Sequence, residues 1–186
     1  MTQQSMPNPA ELYEAAVAQT RKFVAGVKAD QMSAPTPCGE WNVQKLLGHI
    51  NDATNYLTGF MGGSKPDIAA GQSALAAYDA VTQAALASVK APGAMEKKGP
   101  GPMGGETTGA QFTGLIFGDN LIHGWDVAKA TGQDTAMDPK LVDACASMLE
   151  PTIEGGRSRG AFGSAVQPLP NASAQDKFLG MTGRKA

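Results

Sequence analysis

Hydrophobic residues recur every three or four positions along most of the chain, which is the spacing of one face of an α-helix. The stretch 90–109 breaks this pattern, because it is polar and rich in glycine, and it predicts a long loop or an irregular hairpin. No alternation of polar and apolar residues is long enough to build a sheet. The pattern predicts long helices over about 8–27, 42–61, 69–89, 110–131 and 139–153, and a short helix over about 173–181.

Residues typical of helix ends support several of these boundaries. Asn8 before a proline is typical of a helix N-terminus, and Gly132 is well placed to end the fourth long helix. Ser173 and Asp176 resemble a capping box with Asp in place of Glu. Antiparallel helices with one long connection favour an all-α four-helix bundle, accompanied by short helices and an extended C-terminal tail.

The composition is that of a globular protein. The chain has 186 residues, of which 42% are hydrophobic and 17% charged, and this predicts one domain over 1–186, with a core of about 8–155 and a tail of 156–186. A net charge of −2 argues against a nucleic-acid partner. We find no signal-peptide pattern and no membrane-spanning stretch, so we expect a cytoplasmic protein with no membrane partner.

Two polar residues interrupt the apolar stripe of the fourth long helix. Asp119 and His123 are separated by one helical turn, so their side chains are neighbours. An ionised carboxylate in a protein core costs several kcal/mol unless it is paired or bound to a cation. The partner of Asp119 is therefore the imidazolium of His123, a Lys or Arg from another helix, or a metal ion. The stripe itself consists of Phe112, Leu115, Ile116, Val127 and Ala130.

The chain has only two histidines, and the second, His49, lies beside the apolar stripe of the second helix. Two imidazoles and one carboxylate form a ligand set typical of catalytic zinc sites with an open fourth position, and the same set suits nickel or iron. A core histidine is nevertheless more often hydrogen-bonded than a metal ligand. The pattern alone does not place His49 beside Asp119 and His123, so both interpretations stay open at this point.

Other polar and aromatic residues near these positions have two interpretations each. Asp126 lies one turn beyond His123, where it either orients the imidazole of a metal-bound histidine or pairs with a Lys or Arg. Cys38 precedes the second helix, and His49 lies about 10 Å further along that helix at 1.5 Å per residue, so we interpret Cys38 as a structural loop cysteine. Trp41 and Trp125 are interpreted as core anchors.

Three motifs resemble those of the bacterial mycothiol-dependent maleylpyruvate isomerase metal-binding domain family. "TPCGEWNVQKLLGHI" is similar to its TPCxEWxVxxLxxH signature, and "DNLIHGWDVAKATGQ" is similar to its HGWDxAxATG segment. "FGSAVQPLPNASAQDKFLGMTGR" resembles the closing segment of a single-domain subfamily. The resemblance spans about residues 10–184, and the three motifs are specific in combination.

The resemblance implies a DinB-like four-helix bundle that holds a divalent metal through His49, Asp119 and His123. Zinc is the first expectation, with nickel or iron as alternatives. In the family the metal activates a low-molecular-weight thiol such as mycothiol, which implies an S-transferase or isomerase-type enzyme acting on a small electrophile. The isomerase has Glu where this chain has Asp119, so the metal is expected nearer the fourth long helix. We expect no additional C-terminal domain, and therefore a substrate other than maleylpyruvate.

Two other functions fit the same residues. The first is a non-catalytic metal-binding module that acts in a stress response. The second is a metal-free bundle in which Asp119 and His123 form a hydrogen bond and a surface serves to make a homodimer.

Overall fold

A computed structural model describes residues 8–39, 41–102 and 104–185 of the chain. Glu40, which belongs to the first family motif, lies outside the described residues. The described chain is helical apart from one small hairpin, which confirms the predicted all-α fold class. Its elements are α1 (Pro9–Ala25), a 3-10 turn (Ala29–Gln31), α2 (Val43–Met61), α3 (Ala74–Val89), β1 (Lys98–Pro100), β2 (Glu106–Thr108), α4 (Gly109–Ala130), α5 (Pro139–Leu149), α6 (Ile153–Ser158) and α7 (Ala174–Met181).

Polar caps define the helix starts where the sequence predicts them. The Asn8 side chain accepts a hydrogen bond from the amide of Ala10 at 3.0 Å and begins α1. Ser173 and Asp176 form the predicted capping box of α7, with two hydrogen bonds of 3.1 Å. Gly132 follows the C-terminus of α4 with a φ of 68°, a conformation that glycine adopts without strain.

Two predicted helix boundaries are wrong, and in both cases a single nearby residue determines where the helix begins or ends. The third helix begins at Ala74 instead of residue 69, because Ser73 caps it by accepting from the amide of Ala76 at 3.2 Å. The fifth helix ends at Leu149 instead of residue 153. Pro151 has no amide hydrogen, so it cannot donate the next hydrogen bond of the helix, and the helix ends although Glu150 keeps helical dihedral angles.

The predicted loop or hairpin over 90–109 contains a two-stranded antiparallel hairpin, in which Gly99 pairs with Thr107. β2 leads directly into α4, and Thr108 forms a capping box with Gln111 at the start of that helix. The Gln111 side chain accepts from the amide of Thr108 at 2.9 Å, and the Thr108 hydroxyl accepts from the amide of Gln111 at 3.2 Å. The hairpin therefore sets the point at which α4 begins.

The four long helices α1 to α4 pack in a closed ring, which we call the four-helix core. α1 contacts α3 and α4, and α2 contacts the same two helices. The packing of α2 against α4 brings the helix that carries His49 beside the helix that carries Asp119 and His123. The largest fully buried side chains of this core are Tyr13, Leu46, Ile50, Leu57, Tyr78, Phe112, Phe117, Leu121 and Trp125.

The chain divides into two compact units, residues 1–135 and 136–186. The first unit contains the four-helix core and the hairpin. In the second, α5 packs against α7, and Arg157 donates a hydrogen bond to the carbonyl of Met181 at 2.8 Å. The single domain over 1–186, with its core of 8–155, stays a prediction.

No helix among the described residues combines the length and the apolar character needed to cross a membrane.

Gly124 of α4 lies close to Thr20 of α1, and it provides a test of this packing. A Cβ atom at Gly124 would overlap the hydroxyl of Thr20, which donates to the carbonyl of Asn120 at 3.0 Å. We expect Gly124→Ala to lower the free energy of unfolding by about 1–3 kcal/mol, as overpacking does in other cores. Urea denaturation measures this change.

Gly48→Ala is the matched control, because Gly48 lies on the exposed face of α2 with nothing within 4 Å of a Cβ atom. This substitution should raise the free energy of unfolding by roughly 0.5–1 kcal/mol through helix propensity alone. An equal effect of the two substitutions would contradict the close approach of α4 to α1.

Candidate metal centre

The structure brings His49, Asp119 and His123 together at the contact between α2 and α4. His49 Nε2 lies 3.0 Å from Asp119 Oδ1, and His123 Nε2 lies 3.5 Å from the same oxygen. One ligand atom from each residue lies within 4.8 Å of the other two. The carboxylate is therefore shared between two imidazoles, one from each helix.

These three side chains lie at a partly open position in the four-helix core. The exposed fraction of the side chain is 35% for His49, 21% for Asp119 and 12% for His123. Asp119 was expected at the centre of a buried stripe, but the neighbouring Leu115 is 38% exposed and leaves that part of α4 open to solvent. A small molecule can therefore approach the carboxylate and the two imidazoles from outside.

Asp126 holds the ring of His123 from the inside of the protein. Its carboxylate is fully buried, and Oδ2 lies 2.9 Å from His123 Nδ1. A carboxylate accepts the proton of Nδ1, which leaves the lone pair on Nε2 directed towards Asp119. Of the two interpretations of Asp126, this contact supports the orientation of an imidazole.

Trp41 lies against both imidazoles, whereas Trp125 is a core residue with 1% of its surface exposed. The indole centroid of Trp41 is 4.8 Å from that of the His49 ring and 6.0 Å from that of the His123 ring. Trp41 is half-buried and forms one wall of the site, a position that the sequence interpretation as a core anchor missed. The sequence could have indicated this position, because Trp41 directly precedes Asn42, the residue that caps the helix carrying His49.

Cys38 also lies near the site, which the interpretation as a structural loop cysteine did not anticipate. Its Sγ, a ring nitrogen of His123 and a carboxylate oxygen of Asp126 lie within 4.8 Å of one another. The distance argument concerned only His49 along α2 and did not consider the residues of α4. The loop before α2 instead brings Cys38 to α4, and the amide of Thr36 donates to the carbonyl of Trp41 at 3.1 Å across this loop.

The contact with Asp119 raises the pKa of His49 above its ordinary value, mainly through the hydrogen bond between the two side chains. Burial of the imidazole opposes this shift, and the charges of Asp119 and Asp52 add to it. The shift arises because the protonated form of His49 compensates the charge of the Asp119 carboxylate. A bound divalent cation would supply the same compensation and would displace that proton.

The separations of the two imidazole nitrogens from the Asp119 carboxylate match those of a metal centre. Ligand bonds of about 2.0–2.2 Å put two ligand atoms of one ion about 3–3.5 Å apart. The observed separations from Asp119 Oδ1 are 3.0 Å to His49 and 3.5 Å to His123. Two imidazoles and a carboxylate are suitable ligands for zinc and also for nickel or iron. The residues present therefore fit a divalent metal ion.

The sequence of residues 13–128 matches the family model of the mycothiol maleylpyruvate isomerase N-terminal domain. The chain belongs to this family. Membership implies a mycothiol-related, metal-binding protein with the DinB-like fold. Because the matched residues include His49, Asp119 and His123, the candidate metal centre lies inside the family domain.

Two curated relatives are uncharacterised proteins of Mycobacterium tuberculosis, one from strain CDC 1551 / Oshkosh and one from strain ATCC 25618 / H37Rv. Each is 32% identical to this family member over 167 residues, which is 87% of this chain and 91% of the relative. Among the solved structures, none matches this chain.

The pKa of His49 in the metal-free protein provides a test of the pair with Asp119. We expect a value above 6.5, and Asp119→Asn should lower it because the main hydrogen bond loses its charge. NMR of the imidazole signals over a pH series measures both values, and His123→Gln assigns the spectrum, since the chain has only two histidines.

Asp52→Asn is the control, because Asp52 acts on His49 only through its charge and should change the pKa less than Asp119→Asn does. Because the fold raises the pKa of His49, the pair of His49 with Asp119 makes the stability of the metal-free protein depend on pH. The pair stabilises the metal-free fold fully below the ordinary pKa of 6.5, and this contribution is lost as the pH rises through the raised pKa of His49. An unchanged pKa in Asp119→Asn would refute the pair.

Proposed function

We propose that the chain is a divalent-metal protein in which His49, Asp119 and His123 hold the ion. The observation that carries this proposal is the position of one carboxylate oxygen between two imidazole nitrogens, at 3.0 Å and 3.5 Å, with the site partly open to solvent. Zinc is the first candidate, and nickel or iron are alternatives.

The shorter acid of this chain is compatible with the proposal. Asp119 replaces the Glu expected from the resemblance, yet its Oδ1 reaches the Nε2 atoms of both His49 and His123. The imidazole of His123 is oriented by the buried carboxylate of Asp126, and Trp41 packs beside the ring of His49. These contacts favour a centre in which His123 is held in one orientation and His49 is the most exposed ligand.

We further propose that the protein catalyses an S-transferase or isomerase-type reaction between a low-molecular-weight thiol, such as mycothiol, and a small electrophile. A divalent cation at this site would make a thiol nucleophilic at neutral pH, since a thiol bound to such a cation loses its proton. Asp119 and the two histidines would hold the cation, and the exposed side of His49 gives the thiol its approach. Family membership supports the choice of thiol.

Metal analysis of protein purified without chelator tests the proposed ligands. We expect about one divalent ion per chain in the wild type and less than about 0.2 per chain in His49→Ala, because loss of one of three ligands weakens binding strongly. Gly48→Ala is the control, since it changes the neighbouring residue on the exposed face of α2. Equal metal content in the wild type and in His49→Ala would refute His49 as a ligand.

Asp126→Asn tests the orientation of His123 separately. We expect metal affinity to fall by about 10–100-fold, because partners that orient a ligand imidazole have effects of this size. Competition with a chromophoric chelator measures the affinity. Circular dichroism checks the fold of the variant, because Asp126 is fully buried. An unchanged affinity in a folded variant would exclude this role.

Turnover of model electrophiles with a panel of bacterial thiols tests the catalytic part of the proposal. The metal-loaded wild type should consume the electrophile faster with at least one thiol than metal-free protein or His49→Ala does. If no thiol supports such turnover while metal binding persists, the protein is instead the non-catalytic metal-binding module of the alternative hypothesis.

A further inference from the structure

A second group of metal-ligating atoms adjoins the proposed centre and shares His123 with it. Cys38 Sγ, a ring nitrogen of His123 and a carboxylate oxygen of Asp126 lie within 4.8 Å of one another. Asp126 is fully buried, 12% of the His123 side chain is exposed, and Cys38 is half-buried. A thiol, an imidazole and a carboxylate thus converge on the side of His123 that faces Asp126.

We propose that Cys38, His123 and Asp126 form an alternative metal position that takes thiophilic cations. The proposal rests on the proposed function, because it uses His123 as a ligand common to both positions. We call the first set, His49, Asp119 and His123, the open position, and the second set the cysteine position.

The two positions differ in chemical character. The open position offers two nitrogens and one oxygen, whereas the cysteine position replaces one nitrogen by the sulfur of Cys38. Thiolate ligands favour thiophilic ions such as zinc or copper(I) over harder ions. When such an ion binds, the S–H bond of Cys38 breaks, the electron pair stays on sulfur to form the metal bond, and the proton is released to solvent.

The cysteine position needs only a small movement to close around an ion. Zinc bonds of about 2.0 Å to nitrogen and 2.3 Å to sulfur place two ligand atoms roughly 3.3–3.8 Å apart, so atoms within 4.8 Å must approach by about 1.5 Å at most. His123 and Asp126 lie on the rigid helix α4, whereas Cys38 lies on a loop. Hydrogen bonds from Thr36 to the carbonyl of Trp41 cross this loop and hold the segment that carries Cys38.

Only one of the two positions is filled at a time. A neutral imidazole offers a single acceptor nitrogen, so His123 binds one ion in one position. An ion at the cysteine position also engages Asp126, and Asp126 then no longer accepts the Nδ1 proton that directs His123 towards Asp119. A thiophilic cation in the cysteine position would therefore withdraw His123 from the open position.

Cobalt(II) titration of reduced protein tests the proposal, because a thiolate bound to cobalt absorbs strongly in the near ultraviolet. The His49→Ala variant lacks one ligand of the open position only. It should retain little metal through purification, because the atoms of the cysteine position must first approach one another, but it should bind about one cobalt per chain and show this absorption when cobalt is added in excess. Adding Cys38→Ser to the His49→Ala variant should abolish both the binding of cobalt and the thiolate absorption. Cys145→Ala should leave the absorption unchanged, because Cys145 is the chain's other cysteine and lies outside both positions.

The Cys38→Ser single variant separates this proposal from the proposed function. If Cys38→Ser binds cobalt and His49→Ala shows no thiolate absorption, the cysteine position is refuted and the open position stands. If His49→Ala shows the absorption and Cys38→Ser binds no cobalt, the cysteine position stands and the open position is refuted. If His49→Ala does not fold, Asp119→Asn replaces it in the cobalt titration, because Asp119 is also a ligand of the open position only.

Discussion

The contact between α2 and α4 is the interaction on which the site depends. Each helix alone carries an incomplete set, since α4 supplies Asp119 and His123 while α2 supplies His49. The contact places one carboxylate oxygen between imidazoles from both helices. α4 is in turn held by α1, where Gly124 allows Thr20 to approach its backbone. A change in the packing of either helix therefore changes the distances between the ligand atoms directly.

Asp119 is a carboxylate in a helical core, and its partial exposure both lowers the cost of this position and leaves it accessible to ligands. Full burial of Asp119 would cost several kcal/mol without a cation, but contact with solvent and with His49 reduces this cost. The same opening gives small molecules access to the two imidazoles. Asp126 is the opposite case, because its carboxylate is fully buried and its contact with His123 keeps that ring in one orientation. The site thus combines a buried side on α4, where Asp126 orients His123, with a more exposed side that carries His49.

Three residues of the first family motif lie together at the candidate metal centre. Its histidine, His49, is one of the candidate ligands, and its tryptophan, Trp41, packs on the rings of both histidines. Its cysteine, Cys38, lies beside His123 and Asp126 of the second motif. The two motifs are distant in sequence but form one cluster, and all of the clustered residues lie within the family domain over residues 13–128.

The sequence by itself determined the features that depend on local interactions. Apolar spacing and caps such as Asn8 and Ser173 define helices because they act within a few residues, and Pro151 shows that a missed boundary also had a local cause. Asp119, His123 and Asp126 are neighbours on one helix, so helical spacing alone brings them together. Only the tertiary structure decided that His49 meets Asp119, and that Cys38 and Trp41 reach the same site. Those contacts join distant residues, and their geometry depends on how α2 packs against α4 and on the path of the loop before α2.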